Sequence, residues 1–365
     1  MTDSPIWNRR ARVQLSDQIA SAEICLCDKM LKLDLHLSGI SEYNQRYLGN
    51  KIRALRGTLE LYGDLIYLCV SDSSVSLEDF VIVDYGGGSG VLSFLAKEVG
   101  IGTVIYNDIY DISCSDVKLL SSILELPLNH VICGDIDEVI SYLHRNRVSI
   151  NAITSYDCLE HIYDVESHFK KLGSLRGGRF RVVYASGANI QNRRCVRSVT
   201  TKQIEAEYKI RQRKWGHKER DSLRAFFDVR KEMISNCAPD LSSEQVEELS
   251  RSTRGLIQSN IEKCIDEYRK KGSITYQPDH PTNTCDPYTG NWCEHLIDQR
   301  WLRQILEDTG FSVAILPGHY HHVLGSLPKQ TAACILNAAI RLAGKWVMFM
   351  APYYIVYANR LAESN

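Results

Sequence analysis

Three glycines, at 86, 88 and 90, lie between a short apolar run, Val81-Ile82-Val83-Asp84-Tyr85, and a helical pattern that starts at Val91. A strand that ends in glycines and feeds a helix is suited to hold a nucleotide. Glycine tolerates the tight turn and lets the backbone come close to a ligand, and the helix N-terminus offers N–H groups that have no partner in the helix. The dinucleotide fingerprint is G-x-G-x-x-G, whose last glycine packs helix on strand. Here the pattern is D-x-G-x-G-x-G, with Val91 at that last position. The charge of Asp84 before the turn repels a pyrophosphate and suits a cationic ligand. Asp108 follows Gly90 by 18 residues, at the end of a second apolar run. A carboxylate at that point can accept hydrogen bonds from ribose hydroxyls. Asp135 follows a third run and Ser155-Tyr156-Asp157 ends a fourth, so four successive runs end in polar residues.

Positioning these residues on one edge requires a particular set of elements. The sequence predicts strands at 81–85, 103–107, 130–133, 152–156 and 180–185, alternating with helices at 91–99, 117–126, 136–145 and 165–175. Such alternation predicts βαβ units and a parallel sheet, whose strand ends bind ligands. Residues 1–80 read as an N-terminal helical segment, with leucines at 48, 55, 59, 61, 65 and 68 and Ile52 at helical spacing. Residues 81–188 form the cofactor-binding core. Residues 189–298 read as a helical insertion and loop, with helices over 202–215, 223–235, 243–252 and 256–270 and a helix start at Ser242-Ser243-Glu244. Residues 299–365 complete the sheet through a helix at 300–308, a strand at 312–316, a helix at 331–342 and a strand at 353–357. The expected fold is α/β, with a seven-stranded, mostly parallel, Rossmann-like sheet, N-terminal helices and the insertion as a substrate lid that excludes water.

This constellation resembles the class I, Rossmann-like S-adenosylmethionine-dependent methyltransferases, over residues 81–185 directly and 300–357 in pattern. Val81–Gly90 is similar to the family's first motif, Asp108 to its ribose-binding acid and Asp135 to the acid near adenine. Asp157-Cys158-Leu159-Glu160-His161-Ile162 resembles the segment after the fourth strand in many small-molecule members. The resemblance implies S-adenosyl-L-methionine as cofactor, held by Asp84, Tyr85, Gly86, Gly88, Gly90, Asp108, Ile109, Asp135, Ile136 and Tyr156. The cofactor's ammonium and sulfonium fit the acid before the turn. The Asp157, Glu160 and His161 set is also similar to the metal-associated cluster of ubiquinone-biosynthesis O-methyltransferases, yet the Glu-His pair is common in members that use no metal, and no metal is expected.

Methyl transfer from a sulfonium is an in-line displacement, so the enzyme chiefly positions the reactants and excludes water. An oxygen nucleophile also needs a base. His161, after the fourth strand, is one candidate, and a histidine that caps or orients its loop is the competing reading. The loop Asp286–His295 is aromatic and turn-rich. Tyr288, Asn291, Trp292, Glu294 and His295 are candidates to line the acceptor pocket, with His295 a second catalytic residue. In the competing reading Trp292 pins the insertion. Cys285, Cys293, His295 and His280 match no common zinc spacing. His319-Tyr320-His321-His322 offers a further base, and Arg211–Lys218 reads as a solvated helix face that could touch a phosphate.

With 43 basic and 44 acidic side chains the net charge is −1. Proteins that grip nucleic acid carry a basic excess, so nucleic acid is not an expected partner, and an RNA methyltransferase would need a local basic face. Twelve scattered cysteines read as reduced thiols. No apolar leader is visible in Met1–Arg10, and a cytoplasmic location is expected. The charge-free run Trp346–Asn359 is 14 residues long and contains Pro352. A span needs about 20, so the run reads as a buried strand or core element. The expected partner is a small-molecule acceptor (sugar, lipid-linked glycan or natural-product intermediate), methylated at oxygen, and a homodimer stays open. The rivals are a nicotinamide-dependent (NAD) oxidoreductase, which Val91 and Asp84 speak against, and a non-catalytic protein that keeps the cofactor as a structural ligand.

Overall fold

The computed structural model describes residues 13–175, 178–214, 217–321 and 327–360. Met1–Arg10, Trp215 and Gly216 of the basic stretch, and His322 lie outside them. Helices α1 (Val13–Leu31), α2 (Glu42–Ile52) and α3 (Leu55–Val70) lead. Strands and helices then alternate through β1 (Val81–Tyr85), α4 (Val91–Val99), β2 (Thr103–Asp108), α5 (Asp111–Ile123), β3 (His130–Cys133), α6 (Ile136–Asn146), β4 (Ala152–Tyr156), α7 (Val165–Gly173) and β5 (Arg181–Ser186). Next come α8 (Arg193–Tyr208), α9 (Phe226–Cys237), α10 (Ser243–Ser252) and α11 (Gln258–Lys271). The chain closes with α12 (Gln299–Asp308), β6 (Phe311–Pro317), α13 (Leu327–Ala343) and β7 (Tyr354–Arg360). It divides into two compact units, one of Met1–Leu159, Glu166–Ser186 and Gln299–Asn365, the other of Glu160–Val165 and Gly187–Asp298.

The first unit holds a seven-stranded sheet in the order β3-β2-β1-β4-β5-β7-β6. Strands β1 to β5 pair in parallel, and β7 runs antiparallel to β5 and β6. The mostly parallel sheet expected from the alternation is present. Its central strands are apolar because both faces are covered: Ile82, Val83, Val104, Ile105, Val182 and Val183 are fully buried. Helix α3 is buried all round from Leu61 to Val70, Asp64 included, and its apolar run Leu65–Val70 is the pattern of a helix covered on every side. The Arg181 guanidinium donates to the Leu68, Cys69 and Ser71 carbonyls at its C-terminus, where a cation meets the negative end of the helix dipole. No disulfide joins the cysteines among the described residues.

The second unit packs Val229, Ile234, Leu249, Ile261 and Ile265 into a core of its own. Arg230 is fully buried in it, paired with Glu207 and donating Nε–H to the Ser250 carbonyl. Glu207 also accepts from the Thr284 hydroxyl, so the buried ion pair is hydrogen-bonded on both sides, the condition under which such a pair is tolerated. Ser242 and Gln245 form a capping box at the start of α10.

Several expectations need correction. Helix α8 runs over 193–208 rather than 202–215, because the Asn192 carboxamide caps the Arg194 and Cys195 amides. Arg193 and Arg194 in its first turn carry the wrong charge for a helix start, which masks it in the sequence. Residues 211–214 are therefore not a helix face. The Arg211 guanidinium donates to the Ser222 carbonyl and lies 4.4 Å from the centre of the Phe226 ring. Helix α5 starts at Asp111, six positions before 117, behind polar residues that blur the apolar period. Finally, the charge-free C-terminal run divides: Gly344–Met350 is an exposed helical turn, and strand β7 starts at Tyr354.

Candidate functional site

In the first unit the glycine turn is shaped by its neighbours. Gly86 and Gly90 adopt φ of +68° and +77°. A Cβ at Gly86 would lie 2.4 Å from the Cys158 sulfur, and one at Gly90 2.4 Å from Val117. Neither side chain nor ordinary backbone conformation is available there. Beneath the turn Asp84 is buried, and its Oδ2 accepts from the Ser93 amide (3.1 Å) and hydroxyl (2.7 Å). Burial pushes its carboxyl up to about 6 despite these bonds. The Gly87 amide donates to the Asn107 carbonyl, and the Tyr106 hydroxyl donates to the Gly88 carbonyl. Asp108 receives the Gly88 amide on Oδ2 at 2.9 Å and the Tyr110 amide on Oδ1 at 2.8 Å. The acid at the end of β2 is thus bonded directly to the turn.

The remaining cofactor candidates divide. Ile109 is exposed beside Asp108. Asp135 is exposed and caps α6 by accepting the Asp137 amide. The Tyr156 ring meets Tyr62 edge-on at 5.6 Å. Tyr85 is instead buried against His168 (4.9 Å) and Tyr184 (6.2 Å), and Ile136 is buried in the core. Of the histidines after β6, His321 meets the Tyr353 hydroxyl at 2.8 Å, and the Tyr320 backbone is bracketed by the Asn337 carboxamide.

In the second unit both catalytic candidates converge on Trp292. The His161 Nδ1 lies 2.8 Å from the Trp292 carbonyl. A carbonyl only accepts, so Nδ1 carries a proton, and in the neutral ring Nε2 is then the acceptor. The indole of Trp292 donates to the Tyr163 carbonyl and stacks on the His295 ring at 4.1 Å. Trp292 therefore pins this unit internally. His295 is buried, with Nε2 2.7 Å from Asp279, while Nδ1 has no hydrogen-bond partner among the described residues. Burial raises the Asp279 carboxyl, but the His295 bond outweighs it and holds the group below its ordinary value. Burial likewise raises Glu294, yet His161 and Lys202 hold that carboxyl low. Glu160 accepts the Gly187 amide, and its carbonyl accepts the His295 amide. Tyr288 is exposed on a shallow cavity of about 350 Å³, and the loop is set by Asp286, which receives the Ser222, Tyr288 and Thr289 amides.

The strand order, with an antiparallel seventh strand inserted between the fifth and sixth, decides the fold. It is the class I methyltransferase fold. No family model and no curated protein matches the chain. Among solved structures, the chain is similar to the magnesium protoporphyrin IX methyltransferase of Synechocystis PCC 6803 with bound S-adenosylhomocysteine (13% identity, 86% of this chain and 88% of that one, TM-score 0.39). It is also similar to a provisionally assigned S-adenosylmethionine-dependent methyltransferase of Listeria monocytogenes (12% identity, 85% and 100%, TM-score 0.40). These likenesses are distant, and the reading of the site rests on this chain's own residues.

On this methyltransferase fold the sequence reading missed a roof over the turn. Helix α2 sets Tyr47 over Gly88, where a Cβ would meet its ring at 3.3 Å. Lys51 lies against the Tyr47 ring and donates to the Tyr62 hydroxyl at 2.6 Å. Asp116 of α5 fastens the start of α2 by accepting from the Ser41 amide and hydroxyl and from the Asn44 carboxamide. The available signal was Tyr43, Tyr47 and Lys51 at four-residue spacing on one helix face.

Proposed function

We propose that the chain is an S-adenosylmethionine-dependent methyltransferase that methylates an oxygen of a small-molecule acceptor such as a sugar, a lipid-linked glycan or a natural-product intermediate. The observation that carries this reading is the bonding of Asp108 to Gly88 across the turn. It supports the reading because it holds the carboxylate that resembles the family's ribose-binding acid beside a glycine turn. The residues fit the cofactor. Asp108 accepts on both carboxylate oxygens, which is the chemistry that a ribose hydroxyl needs. The Ser89 hydroxyl is buried at the turn with no partner among the described residues. Asp84 supplies negative charge for a cation.

When bound, the cofactor would supply an electrophilic methyl group, with its sulfur as the leaving group, to an acceptor oxygen. The chain orients the reactants and takes the proton. Within the second unit His161 is the candidate base: its Nδ1–H is committed to the Trp292 carbonyl, which leaves Nε2 of the neutral ring to accept a proton. Trp292 is held in turn by Tyr163 and by His295, whose tautomer Asp279 fixes. Calorimetry with S-adenosylhomocysteine and with NAD tests the cofactor assignment. Binding of the former and not the latter is expected, and binding of NAD alone overturns the reading. Methyl-donor turnover against a metabolite and glycan panel then identifies the acceptor.

A further inference from the structure

Helix α13 and the turn after it carry an outward face that the fold leaves bare. Residues 327–350 comprise α13 to Ala343 and, beyond a break at Gly344 (φ +53°), the helical turn Gly344–Met350. The mean hydropathy is 1.3 over the most apolar window, and only 17% of that window is buried. Ala333, Ile340 and Met348 face inward. Opposite them, Leu327 is 78% exposed, Leu342 90% and Trp346 80%, with Ile335 and Phe349 also exposed. At 100° per residue Leu327, Ile335 and Leu342 fall within about a quarter of the α13 circumference, and Trp346 and Phe349 are exposed on the turn that follows Gly344. Isolated exposed leucines are ordinary, whereas three large apolar side chains on one helix face followed at once by an exposed Trp and Phe are not.

The charges select the occupant. Lys329, Arg341 and Lys345 lie on the stretch, and it contains no Asp or Glu. The Lys345 ammonium sits 5.8 Å from the centre of the Trp346 ring, so an amphipathic indole and a cation stand together at one end. An apolar row flanked by cations, with an indole at its edge, is the chemistry of a helix lying in the interface of an anionic bilayer. Crossing is excluded by topology. The stretch leads directly into β7, which is hydrogen-bonded between β5 and β6, and Asn337 ties the helix to Tyr320 beside β6. A span would pull the sheet apart.

We propose that the outer face of α13 docks this unit on the surface of an anionic lipid bilayer, with Leu342, Trp346 and Phe349 entering the headgroup boundary. The inference is independent of methyl transfer. The test is co-sedimentation of the full chain with vesicles of about three parts phosphatidylcholine to one part phosphatidylglycerol, beside vesicles of phosphatidylcholine alone. The chain is expected to pellet with the anionic vesicles and several-fold less with neutral ones or at about 0.5 M salt. The double variant Leu342→Glu with Trp346→Glu should lower binding by about tenfold or more, with its melting temperature unchanged because both side chains are exposed. Arg341→Glu with Lys345→Glu should remove the preference for anionic vesicles. Wild-type chain that stays in the supernatant overturns the proposal, as does a Leu342/Trp346 variant that binds as well as wild type. Light scattering that shows a dimer dissolved by the same variant, without vesicle binding, assigns the face to a second copy and also overturns it.

Discussion

Replacing Asp108 with Asn probes the turn and the cofactor together. The carboxylate accepts the Gly88 amide on one oxygen and the Tyr110 amide on the other. A carboxamide of the same shape keeps one acceptor and presents an NH₂ to the other amide, setting donor against donor. A hydrogen bond to a charged group contributes about 1.5–3 kcal/mol. Losing one should cost the unliganded protein about that much, a fall in Tm of roughly 3–10 °C. The proposed ribose contact would be a separate loss. Removing one charge-assisted bond to a hydroxyl should weaken S-adenosylhomocysteine binding about ten- to a hundredfold. Calorimetry reads the affinity, and a thermal melt without ligand reads the stability. An Asp108→Asn variant that binds S-adenosylhomocysteine with wild-type affinity refutes the ribose role. One that melts unchanged refutes the claim that Asp108 organises the turn.

Gly90→Ala should destabilise by about 2–4 kcal/mol in urea melts, since it adds left-handed strain and a methyl that overlaps Val117; wild-type stability would show that the turn adjusts freely. His161→Ala should lower methyl turnover about a hundredfold or more while S-adenosylhomocysteine affinity holds, and full turnover eliminates it as base. Asp279→Asn should produce a smaller loss, because it disturbs only the support of Trp292 through His295. Burial pulls His168 from 6.5 down to about 3, so between those values the unfolded chain binds the extra proton. Its contribution to stability is complete above 6.5 and is lost as pH falls toward 3. Tm should therefore fall with acid across this window, and His168→Phe should flatten the slope; an equal slope in the variant shows that other groups govern it. Asp84 acts in the opposite sense, favouring the fold at low pH and losing that contribution as pH rises through about 6.

The sheet was legible because strong local signals agree. Buried parallel strands read as short apolar runs, and each run here ends in a polar residue at the same edge. Strands β1, β3 and β4 and helices α4 and α10 keep their expected bounds. The failures have physical causes. Helix α8 begins with two arginines, and only the Asn192 carboxamide overrides that charge. The roof over Gly88 depends on Asp116 holding Ser41 and Asn44, more than 70 positions away in the chain. No local period encodes such a contact. Tyr85 follows Asp84 in a strand, so its side chain takes the opposite face, and alternation alone would have sent it to His168 instead of the turn.

That alternation also sharpens what Asp84 does. Its charge before the glycines was the reason to expect a cationic ligand. In the fold the same carboxylate is buried under the turn and engages the Ser93 amide and hydroxyl in the first turn of α4. A buried carboxylate is costly unless something favours its charge. Ser93 offsets part of the cost, and the raised carboxyl shows that the offset is incomplete. A bound cation would supply what is missing, and a pyrophosphate would add to the penalty. The acid braces the helix, and under the proposed function it would also select among nucleotides. The two roles need the same buried position, because a solvated carboxylate would be screened too well to discriminate.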